Sequence, residues 1–153
     1  MKFKLYTSFL VLSLGLIIKV LQTENDIVGT WNYVETRNSS GQKIKSYTTG
    51  FGEVEASGPK IIYNSNASYK MIFSPKNIDS GNWRFDKSEM KIIHQLYIDS
   101  TDWIGKDLIK NGEAKKYKDG KYYEMIETKV SKLTKNEMVI VSRDVLEVYK
   151  KSN

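Results

Sequence analysis

The chain has 153 residues, no cysteine and a single histidine, His94, which excludes disulfides, thiolate metal sites, thiol nucleophiles and histidine-rich metal centres. Its formal charge is +6, but Lys2, Lys4 and Lys19 fall in the first 22 residues, and beyond them 21 basic residues face 18 acidic ones, a balance of +3. The lysines are spread along the chain, and only Arg37, Arg84 and Arg143 are arginines, so no nucleic-acid partner is expected.

Residues 1–22 read as a signal segment. Met1 to Lys4 is a short basic head, and Leu5 to Ile18 is uncharged and mostly Leu, Ile, Val and Phe. An apolar core of this length suits secretion and is too short for an ordinary membrane span of about 20 residues. Val20-Leu21-Gln22 lacks the small residues a peptidase prefers. Cleavage is expected near Gln22, the alternative being an uncleaved leader that acts as a weak anchor. The protein is therefore expected to be exported, periplasmic or secreted, with residues 23–153 as one domain without an integral membrane span.

From Ile27 onward the pattern is short runs of alternating apolar and polar residues, rich in aromatic and β-branched types and split by Gly, Asn, Asp and Ser. Such runs read as strands. The first is Thr30 to Arg37, ended by Asn38-Ser39-Ser40-Gly41, and the second is Lys43 to Phe51. Gly50 to Pro59 is glycine-rich and reads as a loop. Lys60 to Tyr63 and Ser68 to Ser74 flank a turn at Asn64-Ser65-Asn66, and Pro75 stops the latter. Gly81 to Phe85 is short, and Glu89 to Ile98 is long. Asp99 to Tyr117 admits one strand or a short helical turn through Trp103-Ile104 and Leu108-Ile109, and Asn111-Gly112 favours a tight turn between two strands. Lys121 to Leu133 follows a hairpin signal at Asp119-Gly120, and Glu137 to Tyr149 closes the chain. No βαβ unit is visible. The expected fold is all-β, an antiparallel sandwich or up-and-down β-barrel of about 8–10 strands, and closure is favoured because it leaves no free sheet edge.

Gly29-Thr30-Trp31, at the head of the first strand, resembles the G-x-W signature of the lipocalin superfamily, and the likeness is closest to short bacterial lipocalin-like domains. The rhythm of Tyr69 to Phe73, then Gly81-Asn82-Trp83-Arg84-Phe85, then a long strand from Met90 is similar to theirs, and the order of elements matches over most of residues 27–149. The chain is shorter than animal lipocalins and lacks their paired cysteines and long C-terminal helix. The resemblance implies a barrel with Trp31 across its narrow end, Gly29 beside it, and a basic side chain from the last strand on the indole face. Arg143, in Met138 to Arg143, stands in the matching place. All three tryptophans also suit a plain core role, since an indole buries a large apolar area wherever it lies.

Chemistry-bearing motifs are sparse. His94 sits mid-strand, and a satisfied barrel residue is the favoured reading over a catalytic one. Asp99, Asp102 and Asp107 do not have the spacing of a calcium loop. Glu124 and Glu127, three apart in a strand, point to opposite faces. Asn38-Ser39-Ser40 and Asn66-Ala67-Ser68 read as turns. The aromatic and sulfur-bearing faces are the better lead. Tyr69, Met71 and Phe73 share one face, as do Trp83 and Phe85, and Met90, Ile92 and His94. Together with Trp103 these are the candidate ligand-binding residues, because the inside of a small barrel is either filled or leaves room for one apolar ligand.

The expected function is a non-catalytic, exported binding protein for a small hydrophobic molecule, a lipid among the candidates, with no cofactor and no metal. The alternative is a filled barrel that acts through its surface on an envelope protein. An enzyme using His94 ranks last.

Overall fold

A computed structural model describes residues 24–152; the leader expected over residues 1–22 lies outside them. A one-turn helix α1 (Glu24–Ile27) leads into β1 (Gly29–Arg37), β2 (Lys43–Ile44), β3 (Ser46–Thr49), β4 (Gly52–Glu55), β5 (Lys60–Tyr63), β6 (Ser68–Ser74), β7 (Asn77–Asp86) and β8 (Lys91–Ile98). Helix α2 (Trp103–Lys110) precedes β9 (Ala114–Lys116), β10 (Tyr122–Leu133), β11 (Glu137–Ser142) and β12 (Val145–Lys151). Eight strands close into an antiparallel barrel in the order β1-β5-β6-β7-β8-β10-β11-β12, with β12 back on β1. Closure gives each of the eight barrel strands a neighbour on both sides, which stabilises a domain that has no disulfide.

The connections separate into two ends. The β5–β6, β7–β8 and β10–β11 turns and the start of β1 lie at one end. The β6–β7 and β11–β12 turns, the segment after β8 and the approach to β5 lie at the other. Polar side chains organise several turns: Asn38 Oδ1 accepts from the backbone of Ser40 and Gln42, and Asn66 Oδ1 accepts from that of Ser68. These Asx-type contacts explain why both Asn-x-Ser stretches form turns.

Four elements differ from the expectation. The run from Lys43 to Phe51 is broken: β2 pairs with β1, whereas β3 and β4 make a separate hairpin, so part of the expected Gly50–Pro59 loop is strand. β7 begins at Asn77, four residues before Gly81, because its first residues pair with β6. The final run is a hairpin, β11 and β12, turning at Arg143-Asp144 with Arg143 in the left-handed region (φ 53°). No Gly or Asn marks that turn, so it is silent in the sequence.

The fourth is Asn111-Gly112, expected as a tight turn between two strands; in the Asp99–Tyr117 stretch the helical alternative holds, as α2. Asp102 caps its N-terminus, the carboxylate accepting from Gly105 N at 2.6 Å, and Asn111-Gly112 ends the helix instead of joining two strands. Gly105 is required where the helix meets the chain leaving β8: an added Cβ would lie 1.8 Å from the Asp99 carbonyl oxygen.

Candidate functional site

One end of the barrel is sealed. Trp31 is fully buried and donates from Nε1 to the Ile27 carbonyl at 2.7 Å, which fixes α1 as a plug. The basic group over the indole is Lys151, not Arg143. Lys151 is the register partner of Trp31, its Nζ lies 5.0 Å from the ring centroid, and it donates to the Asp26 carbonyl at 2.7 Å. Arg143 sits in the turn before β12, a strand that runs about 20 Å from Val145 to Lys151 at the usual rise per residue. The resemblance points to a basic residue of the last strand, and the last strand is β12 rather than the Met138–Arg143 run.

Lys151 also accounts for Gly29. A Cβ there would lie 2.7 Å from Lys151 Cε, and the glycine has φ +136°, a conformation other residues avoid. The G-x-W spacing thus lets one lysine cross the backbone and cover the tryptophan.

Four of the nine candidate ligand-binding residues fill this sealed half. Phe85 and Ile92 are buried in the same cluster as Trp31, Val130, Leu133 and Met138, and Met90 packs against it from the β7–β8 turn with φ 50°. Trp83 is buried, with its ring 4.9 Å from that of Tyr63 and Nε1 donating to the Asn64 carbonyl at 3.2 Å. These four side chains face inward in the sealed half of the barrel. Trp103 is 79% exposed on α2, outside the barrel.

The other half is hollow. A cavity of about 360 Å³ opens between the β6–β7 and β11–β12 turns, and Tyr69, Met71, Phe73 and His94 all line it. Ile61, Ile126, Ile140 and Tyr149 complete its apolar wall, and Asp79, Arg143 and Glu147 add charge. Its volume is at the lower end of the range for small-molecule sites.

The polar groups of this wall are unevenly satisfied. His94 is 1% exposed; its Nε2 pairs with the Tyr63 hydroxyl at 2.8 Å, and its ring packs against Tyr63 and Tyr69. Nδ1 has no partner in hydrogen-bond geometry. Burial pushes the imidazole down to about 4, against a smaller upward pull from the Ile126 backbone, so the ring is neutral at pH 7. The Tyr149 hydroxyl donates to Glu147 at 2.7 Å. Burial, and then the nearby Asp79 and Glu124 carboxylates, push the Tyr69 phenol upward. Asp79 is itself raised by burial. Glu127 turns outward to Lys91 at 3.0 Å, opposite in face to Glu124 as its spacing requires.

No family model matches the chain, and no curated protein matches its sequence. Solved structures do. A lipocalin-like protein from Bacteroides uniformis superposes with a TM-score of 0.50 at 14% identity, over 83% of this chain and 99% of that one. An uncharacterized protein from Bacteroides eggerthii superposes with a TM-score of 0.50 at 15% identity, over 82% and 98% of the two chains. The chain has the lipocalin-like fold.

Within this lipocalin-like barrel, the cavity residues not anticipated from sequence include Ile61, Asp79, Ile126, Ile140, Glu147 and Tyr149. Strand parity carries a signal for two of them. Asp79 has the parity of Trp83 and Phe85, and Glu147 that of Tyr149, so both acids fall on inward faces. Among the described residues, no helix is long and apolar enough to cross a membrane.

Proposed function

We propose that this is an exported, non-catalytic binding protein that carries a small hydrophobic molecule in the open half of its barrel. The observation that carries the reading is the cavity of about 360 Å³ where Tyr69, Met71, Phe73 and His94 converge with Ile61, Ile126 and Ile140 on a wall that also carries a few charged groups. A neutral His94 held by Tyr63 supports a positioning role over proton transfer. The basic, apolar head of the sequence supports export.

A second reading, a surface module acting on an envelope protein, draws on the β3–β4 hairpin, where Phe51 is fully exposed and Tyr47 and Val54 are partly so. A large exposed apolar tip of this kind is a common feature of contact sites. The open cavity favours the first reading.

Ile140→Trp separates the two by filling the cavity from β11. Saturable binding of an apolar fluorescent probe is expected in the wild-type protein. It should fall at least about tenfold in the variant, the loss of one good apolar contact set, while the far-ultraviolet circular dichroism is unchanged. Equal binding by both proteins would place the probe elsewhere and remove the support for a cavity ligand.

A further inference from the structure

The charge inside the cavity runs against that of the whole protein. Beyond residue 22 the chain has a positive balance, yet two inward carboxylates, Asp79 and Glu147, line the hollow half, and a third, Glu124, is close enough to influence Tyr69. Glu147 has the Tyr149 hydroxyl as its donor. Among the described residues Asp79 has neither an ion pair nor a hydrogen bond, and burial sets the upward direction of its carboxyl. The one cationic side chain on the lining is Arg143, which is exposed on the β11–β12 turn.

A separate observation points to a bound group. Tyr69 is 2% exposed and lines the cavity, but its hydroxyl makes no hydrogen bond. The side chain as a whole is buried, and an unpaired hydroxyl that the cavity reaches offers a polar atom to a ligand. Among the described residues, no three His, Asp or Glu side chains are placed to hold a metal ion. The cation that would suit this wall is therefore an organic one. A carboxylate head would bring a like charge to a partly desolvated wall, whereas a protonated amine would supply the missing donor to Asp79 and could donate to the Tyr69 oxygen as well.

We infer that the cavity selects an amphiphile with a protonated amine head, paired chiefly with Asp79, over a carboxylate amphiphile of the same length. This rests on the reading that the cavity holds a small hydrophobic molecule, and the test separates the two. Calorimetric titration at pH 7 compares decylamine, decanol and decanoate. Decylamine is expected to bind about tenfold or more tighter than decanoate, with decanol between them, the size of effect one partly buried charge pair supports. Asp79→Asn, a near-isosteric change at a side chain with no hydrogen bond to lose, should remove most of the amine's advantage and leave decanol binding unchanged.

Decanol binding with no preference for the amine would overturn the charge inference and leave the hydrophobic cavity standing. Tighter binding of decanoate, lost in Arg143→Ala, would reverse the inference and assign the head group to Arg143. Binding of none of the three would overturn both readings.

Discussion

Trp31→Ala is expected to destabilise the protein by about 4 kcal/mol, the usual cost of deleting a large aromatic side chain from a packed core. The indole is fully buried, donates to Ile27 at 2.7 Å and lies beneath Lys151. Its removal opens a cavity in the sealed end, leaves the Ile27 carbonyl without its donor, and exposes a lysine to an apolar hole. Lysine over an indole contributes roughly 0.5–2 kcal/mol by itself, depending on burial. For a domain of this size the melting temperature should fall by roughly 15 °C. Arg143→Ala, at the opposite end, should change stability by no more than about 0.5 kcal/mol, as for other exposed substitutions. Thermal denaturation of both variants checks the pair. A small effect at Trp31 with a large one at Arg143 would mean that the seal is at the other end.

Acidification should weaken the fold in a window set by His94. Its imidazole ordinarily titrates near 6.5 and is held down to about 4 by burial. Below pH 6.5 the unfolded chain takes up a proton that the folded protein refuses, so the stability this group supports is complete above 6.5. It is lost as the pH falls through about 4. At about 1.4 kcal/mol per pH unit the loss is roughly 2 kcal/mol by pH 5 and about 3 kcal/mol by pH 4.

Other groups act mainly below this window. The carboxyls of Glu35, Asp86, Asp99, Asp119 and Glu137 are depressed by their hydrogen bonds and add to the loss near and below pH 4. Asp79, raised by burial, works in the opposite sense. Urea denaturation from pH 7 to 5 isolates the histidine. His94→Gln keeps an amide within reach of the Tyr63 hydroxyl and should flatten the wild-type slope in that range, whatever its stability at pH 7. An unchanged slope in the variant would assign the acid sensitivity to other groups.

The barrel was readable because strand alternation and turn chemistry agree over most of its length. β5 and β6 fall within the same limits in sequence and structure, since Asn64-Ser65-Asn66 and Pro75 punctuate them. Where punctuation is missing, the reading fails. The β11–β12 turn rests on Arg143 in a left-handed conformation, and the end of α2 uses the same Asn-Gly pair that marks hairpins.

The candidate site was half readable for a related reason. Parity identifies which residues face inward, and Tyr69, Met71, Phe73 and His94 do line the cavity. Parity cannot distinguish one end of a strand from the other. Trp83, Phe85, Met90 and Ile92 are inward too, but at the sealed end set by the tilt and stagger of eight strands. Trp103 was misplaced for a different reason: its stretch forms a helix packed outside the barrel, capped by Asp102.

The barrel is sealed by Trp31 at one end and hollow at the other. Four of its five methionines report on both ends. Met71 lines the cavity, Met138 is fully buried in the sealed cluster, Met90 packs at that end, and Met125 faces outward. A nuclear magnetic resonance titration of protein labelled at its methionine methyl groups, with decanol as the ligand, reads all four at once. A saturable shift of the Met71 methyl, with Met90, Met125 and Met138 unmoved, is the predicted result. A silent Met71, or a response centred on Met125 or Met138, would contradict the account.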